Sequence, residues 1–287
     1  MFKYIRFLTI FLSAAMVSCQ KKPNEKSLFE KGVAHGTNKN GKLEEASGLV
    51  ESARQPGYFW VINDSGNPAD IFLIDKQAKT KKVFHLTNIE NRDWEDITIS
   101  TEGNTSYLYI ADIGDNNARY TYKYIYKIKE PSIEDDELIS HVDKLTVKLE
   151  DKKRDSETLM FDPTSKNLYL ISKRESNVIV YEIAHPFKVD TIIAKNIGAL
   201  PFEFINGGAI SPEGNELLLR TYTDIYYWKK KNNESIPDLL KTAAIELPYN
   251  REPQGESIAW ARDSTGYYTL SENAKGERGK LYFYKRN

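Results

Sequence analysis

The chain has 287 residues and a net charge of −1, with 40 basic and 41 acidic side chains interspersed along it. This balance gives no sign of a surface for nucleic acid, so no nucleic-acid partner is expected. The single cysteine excludes disulfides within the chain and metal sites built from several cysteines.

The first 18 residues have the features of a signal peptide. Lys3 and Arg6 precede an apolar run over residues 7–17, which is too short to span a bilayer. The run ends at Met16-Val17-Ser18-Cys19, which resembles the bacterial lipobox, although leucine is usual where Met16 stands. The alternative is an ordinary signal peptide followed by an incidental cysteine.

The lipobox resemblance implies that Cys19 is the lipidated first residue of the mature protein. It also implies a place in the bacterial cell envelope, anchored to the outer membrane on either its periplasmic or its surface side. Residues 19–28 are expected to form a flexible tether, because residues 20–27 are polar and charged and include Pro23. Residues 29–287 are expected to form one domain, since all-β domains of this length are common.

A local pattern recurs five times along this domain. Each copy places one residue just before an apolar strand, and the steps between copies are 48, 62, 51 and 48 residues. We call these the slot residues: Ser47, Glu95, Glu157, Gly208 and Glu256. A period near fifty residues indicates stacked supersecondary units, and propeller blades are the all-β form of such units.

Behind each slot residue, short apolar strands alternate with turn residues. The predicted fold is therefore all-β, a single β-propeller of five four-stranded blades. The last blade has residues for only three strands, so we expect residues 31–36 to pair there as the missing outer strand and close the ring. Residues 130–143 are predicted to be an inserted loop in the second blade.

The innermost strands of such a ring would bring the slot residues together on its axis. Carboxylates about 4 Å apart repel by roughly 4 kcal/mol at an effective dielectric of 20, so Glu95, Glu157 and Glu256 need protons, basic partners or a cation. Oxygen-only ligands favour a hard ion, and Ca²⁺ accepts irregular geometry. The sequence thus predicts an axial Ca²⁺ held by these glutamates and Ser47. Hydrogen-bonded glutamates that pin neighbouring blades are the alternative.

Polar residues at the ends of the predicted second strands should return to the same rim. Acids and bases around a cation could bind a phosphorylated ligand and activate water. The candidate catalytic residues are Asp64, Asp112, Lys173, Arg174 and Arg220. The alternative is that these side chains form ion pairs at the rim and have no catalytic role.

The string Asp112-Ile113-Gly114-Asp115-Asn116-Asn117 resembles a calcium loop, although it lacks the full EF-hand spacing. Asp112 and Asp115 are its candidate metal ligands. A tight turn rich in Asp and Asn explains the same string without a metal.

Several strings resemble those of bacterial lipoprotein propellers of the phytase-like and SdiA-regulated type. They are Asp93-Trp94-Glu95-Asp96-Ile97, residues 110–116, Asp155-Ser156-Glu157-Thr158-Leu159 and Gln254-Gly255-Glu256-Ser257-Ile258. The slot order is also similar to that of calcium-dependent apyrases, five-bladed propellers with an axial calcium. That resemblance implies an axial ion and hydrolysis of nucleoside diphosphates, and Gly208 departs from its pattern of serine and glutamate.

Two functions follow from these observations. The first is a calcium-binding module or scaffold whose partner is an envelope protein or a small phosphorylated ligand. The second is a calcium-dependent hydrolase of phosphoric esters or anhydrides. The sequence leaves open whether the protein is an enzyme.

Overall fold

The computed structural model describes residues 27–188 and 190–287, and these residues form an all-β fold. The signal peptide, Cys19 and most of the tether lie outside the described residues. The strands are β1 (Val33–Thr37), β2 (Ala46–Glu51), β3 (Tyr58–Asn63), β4 (Asp70–Asp75), β5 (Thr80–Leu86), β6 (Trp94–Glu102), β7 (Thr105–Asp112), β8 (Lys123–Lys129), β9 (Leu138–Ile139), β10 (Asp143–Leu149), β11 (Ser156–Phe161), β12 (Leu168–Ser172), β13 (Val178–Ile183), β14 (Ile192–Leu200), β15 (Gly207–Ile210), β16 (Glu216–Arg220), β17 (Ile225–Lys229), β18 (Ile245–Leu247), β19 (Gly255–Trp260), β20 (Gly266–Ser271) and β21 (Lys280–Lys285). One short helix, α1 (Ile236–Leu239), precedes β18 and is capped by the Ser235 side chain.

The strands form five antiparallel groups of four. In order of first strand they are β2–β3–β4–β5, β6–β7–β8–β10, β11–β12–β13–β14, β15–β16–β17–β18 and β19–β20–β21–β1. A parallel pairing of β10 with β14 joins the second and third groups into one eight-stranded sheet. The first strands contact one another in a cycle, β2 to β6, β11, β15, β19 and back to β2.

The strand that completes the fifth group comes from the beginning of the described chain, as predicted. β1 pairs antiparallel with β21, with Val33 opposite Phe283 and Thr37 opposite Lys280. The pairing covers one edge of β21, which would otherwise present unpaired backbone groups.

The hydrophobic core is divided into five clusters, each between two neighbouring groups. Strand β3 is an example of a strand that is covered on both faces. Phe59 and Val61 face the cluster shared with the fifth group, whereas Trp60 and Ile62 face the cluster shared with the second. Successive side chains of a strand point to opposite faces, so a strand covered on both faces needs apolar residues at every position. Burial of each such side chain contributes about 1.5–3 kcal/mol.

The inserted segment 130–143 has a defined position on the first group. Its strand β9 pairs in parallel with β5, which adds a fifth strand to that sheet. The carboxylate of Glu130 is fully buried and accepts hydrogen bonds from Ser52 Oγ (2.6 Å) and Trp60 Nε1 (2.8 Å). The segment predicted as a loop thus fastens the first group to the second.

Candidate functional site

The slot residues occupy irregularities in the innermost strands. In β2, β6, β11 and β19 the pairing register skips one residue, and the skipped residues are Ser47, Glu95, Glu157 and Glu256. A β-bulge leaves the extra residue outside the ladder and re-aims its side chain. All four are buried at the start of the strand, so the recurring sequence pattern corresponds to a recurring bulge.

The fourth group has no such bulge, and here the sequence alignment was wrong. Gly207 pairs with Arg220 and Gly208 with Leu219 in uninterrupted register. In the fifth group, Ser257 pairs with Leu270 and is the residue after the slot residue Glu256. Gly208 occupies the position that corresponds to Ser257, so it is not itself a slot residue. A Cβ on Gly208 would lie 2.8 Å from Thr158 Cγ2, so the glycine allows close packing against the third group.

Two of the three slot glutamates have a basic partner. Lys173 follows β12, and its Nζ lies 2.6 Å from Glu157 Oε1 and 3.9 Å from Glu256 Oε1. The Tyr222 hydroxyl donates to Glu256 Oε1 at 2.8 Å. Burial would lower the pKa of Lys173, but the two carboxylate charges raise it. The Lys173 ammonium thus partly fills the role that the sequence assigned to an axial cation.

The pKa values of Glu157 and Glu272 are raised above the ordinary range of a glutamate. Burial raises the pKa of Glu157 to about 7, although the charge of Lys173 opposes the shift. Glu272, which follows β20, hydrogen-bonds Glu256, and burial together with the Glu256 charge raises its pKa to about 9. Glu272 therefore holds a proton at neutral pH.

Glu95 is the slot glutamate that has no basic partner. Its side chain is buried, and among the described residues no hydrogen bond or ion pair reaches its carboxylate. Burial, followed by the charge of Glu157, raises its pKa well above the usual range. A buried carboxylate without a partner is costly, so this position favours either a proton or a bound cation.

Two triads of carboxylates share Glu95, and in each triad one oxygen per residue lies within 4.8 Å of the others. The first triad is Asp64, Asp93 and Glu95, and none of its members forms an ion pair among the described residues. Burial raises the pKa of Asp64 to about 6 and also raises that of Asp93. Its members come from the end of β3 and the start of β6, in two different groups.

The second triad is Glu95, Asp155 and Glu157. Asp155 accepts hydrogen bonds from the Asp115 N–H at 2.8 Å and from Arg174 Nε at 2.6 Å. Glu157 is paired with Lys173. Two of the three acids of the second triad therefore already have basic or N–H partners. Of the two triads, the first is the better match for an added cation.

In the loop after β7, the Asp115 side chain accepts hydrogen bonds from the backbone of the same loop. The Asp115 carboxylate accepts from the Arg119 N–H at 2.7 Å and the Tyr120 N–H at 2.8 Å, and Lys123 Nζ lies 3.4 Å away. Asp112 pairs with Arg92 at 3.0 Å. The Asp115 carboxylate is thus used by the backbone of its own turn, whereas the Asp112 carboxylate is paired with Arg92, which precedes β6.

The five candidate catalytic residues do not share one position. Asp64 lies beside Glu95 and Lys173 beside Glu157, at the ends of the second strands, as the antiparallel pairing predicted. Arg174 pairs with Asp155, and Asp112 pairs with Arg92. Arg220 is fully buried and donates to Ser257 O, Tyr249 and Glu252, at 2.8, 2.7 and 3.1 Å. No atom of Arg220 is exposed to a ligand in this arrangement.

Sequence reasoning gave no role to two acids of the triads, Asp93 and Asp155. Both stand two residues before a slot glutamate, in the strings Asp93-Trp94-Glu95 and Asp155-Ser156-Glu157. This shared spacing was the signal available. The hydroxyl of Ser47, a predicted ligand, donates to Glu95 O at 2.6 Å and so joins β2 to β6.

In the described part of the chain, no helix has the length and apolar character needed to cross a membrane.

Comparisons with known proteins assign no family to this chain. No protein-family model matches the sequence, and no curated protein matches it significantly. Among solved structures, the chain is similar to hydrazine synthase of Kuenenia stuttgartiensis, with 11% identity and a TM-score of 0.45 over 84% of this chain and 83% of that chain. A similarity of this size carries no inference about fold or function.

Proposed function

We propose that the chain is a five-bladed β-propeller that binds Ca²⁺ beside its axis and acts as a binding module at the bacterial cell envelope. The cyclic contacts of the five innermost strands and the five inter-group core clusters support the propeller. The lipobox resemblance at Cys19 supports an anchor in the outer membrane. The partner is an envelope protein or a small phosphorylated ligand.

The observation that carries the calcium proposal is the Glu95 carboxylate, which is buried, unpartnered and shared by both triads. Asp64 and Asp93 would complete an oxygen-only set with it, and such a set suits a hard divalent ion. The raised pKa values of all three acids are consistent with this, because a bound cation would remove the charge repulsion that burial strengthens. When bound, the ion would lock the first group to the second.

Thermal unfolding in EGTA and in 1 mM CaCl₂ tests the proposal. A ligand at 100-fold excess over its Kd adds about 2.7 kcal/mol, which corresponds to a rise of roughly 5–10 °C in Tm for a domain of this size. We expect Glu95→Gln and Asp93→Asn to abolish the rise. Glu256→Gln is the matched control, since it alters a slot glutamate that Tyr222 and Lys173 already hold, and it should retain the rise. Wild-type protein with equal Tm in both buffers would overturn the calcium site.

A calcium-dependent phosphoester or anhydride hydrolase is the second candidate. Asp64 is the half-buried member of the first triad, and its pKa, raised by burial to about 6, suits a general base near neutral pH. Arg174 is 45% exposed and could hold a phosphoryl charge. Turnover of a phosphoester and nucleoside-diphosphate panel in Ca²⁺, lost in Arg174→Ala with the Tm rise intact, would establish the enzyme. No turnover by wild-type protein would leave the binding module.

A further inference from the structure

The ring of innermost strands has a second chamber, past the slot residues toward the other rim. A cavity of about 200 Å³ lies between the later residues of β2, β6, β11, β15 and β19. Its walls include Leu49, Ile97, Phe161, Ala209, Ile258 and Trp260. None of the triad acids lines it. The chamber is therefore distinct from the calcium site proposed above, and it needs a separate explanation.

The lining combines apolar side chains with the polar residues Glu51, Thr98, Thr101, Ser211 and Arg262, so it suits a small amphipathic occupant. A dry cavity of ~150 Å³ lined by aliphatic and aromatic side chains is large enough for benzene, so this chamber accommodates roughly eight carbons. It is too small for a nucleotide or an oligosaccharide, because pockets for drug-sized ligands measure about 300–1,000 Å³. An unbranched alkyl chain fits both the volume and the lining.

One basic side chain stands at the end of this chamber. Arg262 follows β19, and its Nη2 approaches Thr101 Oγ1 at 3.4 Å, so the side chain crosses from the fifth group to the second. Among the described residues Arg262 forms no ion pair. The acid that lines the same cavity, Glu51, accepts from the N–H groups of Gly57 (3.1 Å) and Arg262 (2.7 Å). The Arg262 guanidinium is thus available for a second acceptor.

We propose that this chamber binds a medium-chain carboxylate, with its alkyl chain between the innermost strands and its carboxylate on Arg262. Guanidinium and carboxylate match each other in geometry and charge, and the pair lies where the cavity reaches the exposed residue Thr101. The apolar side chains of the wall bind the alkyl chain because burial removes its methylenes from water.

The test is a calorimetric titration of the full-length protein with sodium octanoate, with 1-octanol as the uncharged ligand of equal chain length. Wild-type protein should bind octanoate saturably, and 1-octanol at least tenfold more weakly. Arg262→Gln should weaken octanoate binding about tenfold and leave 1-octanol unchanged. Ala209→Leu adds bulk to the chamber wall and should abolish binding of both ligands. If Ala209→Leu does not fold, Thr98→Leu, which adds bulk at a second position in the wall, serves as the wall variant.

Quenching or enhancement of Trp260 fluorescence provides a second readout, since this indole lines the chamber. A wild-type protein that shows no saturable octanoate binding up to 5 mM would overturn the proposal. Equal octanoate binding by wild-type protein and a folded wall variant would overturn it too, because the ligand would then lie on the outer surface. Equal affinity for octanoate and 1-octanol would refute the role of Arg262. None of these outcomes depends on calcium.

Discussion

Removal of the Lys173 ammonium should destabilise the protein strongly at pH 8. Its Nζ is 2.6 Å from Glu157 and 3.9 Å from Glu256, and the Lys173 and Glu157 side chains are only 9% and 5% exposed. Loss of one member of a buried ion pair leaves an uncompensated charge, which costs about 3–5 kcal/mol. We therefore expect Lys173→Met to lower the free energy of unfolding by that amount in EGTA.

The loss of unfolding free energy in Lys173→Met should be smaller at acid pH. The native pKa of Glu157 is raised to about 7, above its unfolded value, so the stability linked to its proton is present at low pH and is lost as pH rises through 7. Without Lys173 this pKa rises further, and Glu157 stays protonated over a wider range. At pH 5 the variant should therefore lie close to wild type, and the double variant Lys173→Met/Glu157→Gln should recover most of the loss at pH 8.

Urea unfolding followed by circular dichroism, at pH 5 and pH 8 in EGTA, measures these differences. Lys229→Met is the matched control, because Lys229 is 59% exposed where it pairs with Glu216 at 3.5 Å, and exposed pairs contribute about 0–1 kcal/mol. If Lys173→Met lowers the free energy of unfolding no more than Lys229→Met at pH 8, the ion pair does not stabilise the fold as proposed. An equally large loss at pH 5 would also contradict it.

Two further variants test the surroundings of the cation site. A Cβ on Gly114 would overlap the Glu95 and Asp93 carboxylates, so Gly114→Ala should abolish the Ca²⁺-dependent rise in Tm, whereas Gly41→Ala, where a Cβ meets no atom within 4 Å, should leave it unchanged. Glu272 has a native pKa of about 9, so its proton stabilises the native state at low pH and this contribution is lost as pH rises from its unfolded value toward 9. Glu272→Gln should therefore raise Tm at pH 8 and change it little at pH 4; an equal change at both pH values would contradict the shift.

The strands, the closing strand and the slot residues could be predicted from the sequence, because each depends on a pattern of neighbouring residues. The strand order and the closing strand β1 follow from short apolar runs between turn residues and from a count of strands per repeat. The bulged residues Glu95, Glu157 and Glu256 were identified because the same pattern recurs before each apolar strand. The return of Asp64 and Lys173 to the same rim followed from antiparallel pairing.

Other features depend on register between strands, which no local string specifies. A shift of one residue moves a side chain to the opposite face. The missing bulge at Gly208 is such a shift, and it leaves the fourth group without a slot side chain. The pairing of β9 with β5 joins residues about fifty positions apart, so no local pattern predicts it. For this reason the insertion was predicted to be a loop.

The sequence by itself determined that this protein has an all-β repeat with acids at the start of its innermost strands. Only the tertiary structure decided which of those acids have partners. Lys173 lies between Glu157 and Glu256, while Glu95 lies with Asp64 and Asp93 and forms no ion pair with any described residue. The physical reason is that repeat spacing fixes where a carboxylate lies along its own strand. The charge nearest to it comes from a neighbouring group, through packing across the ring.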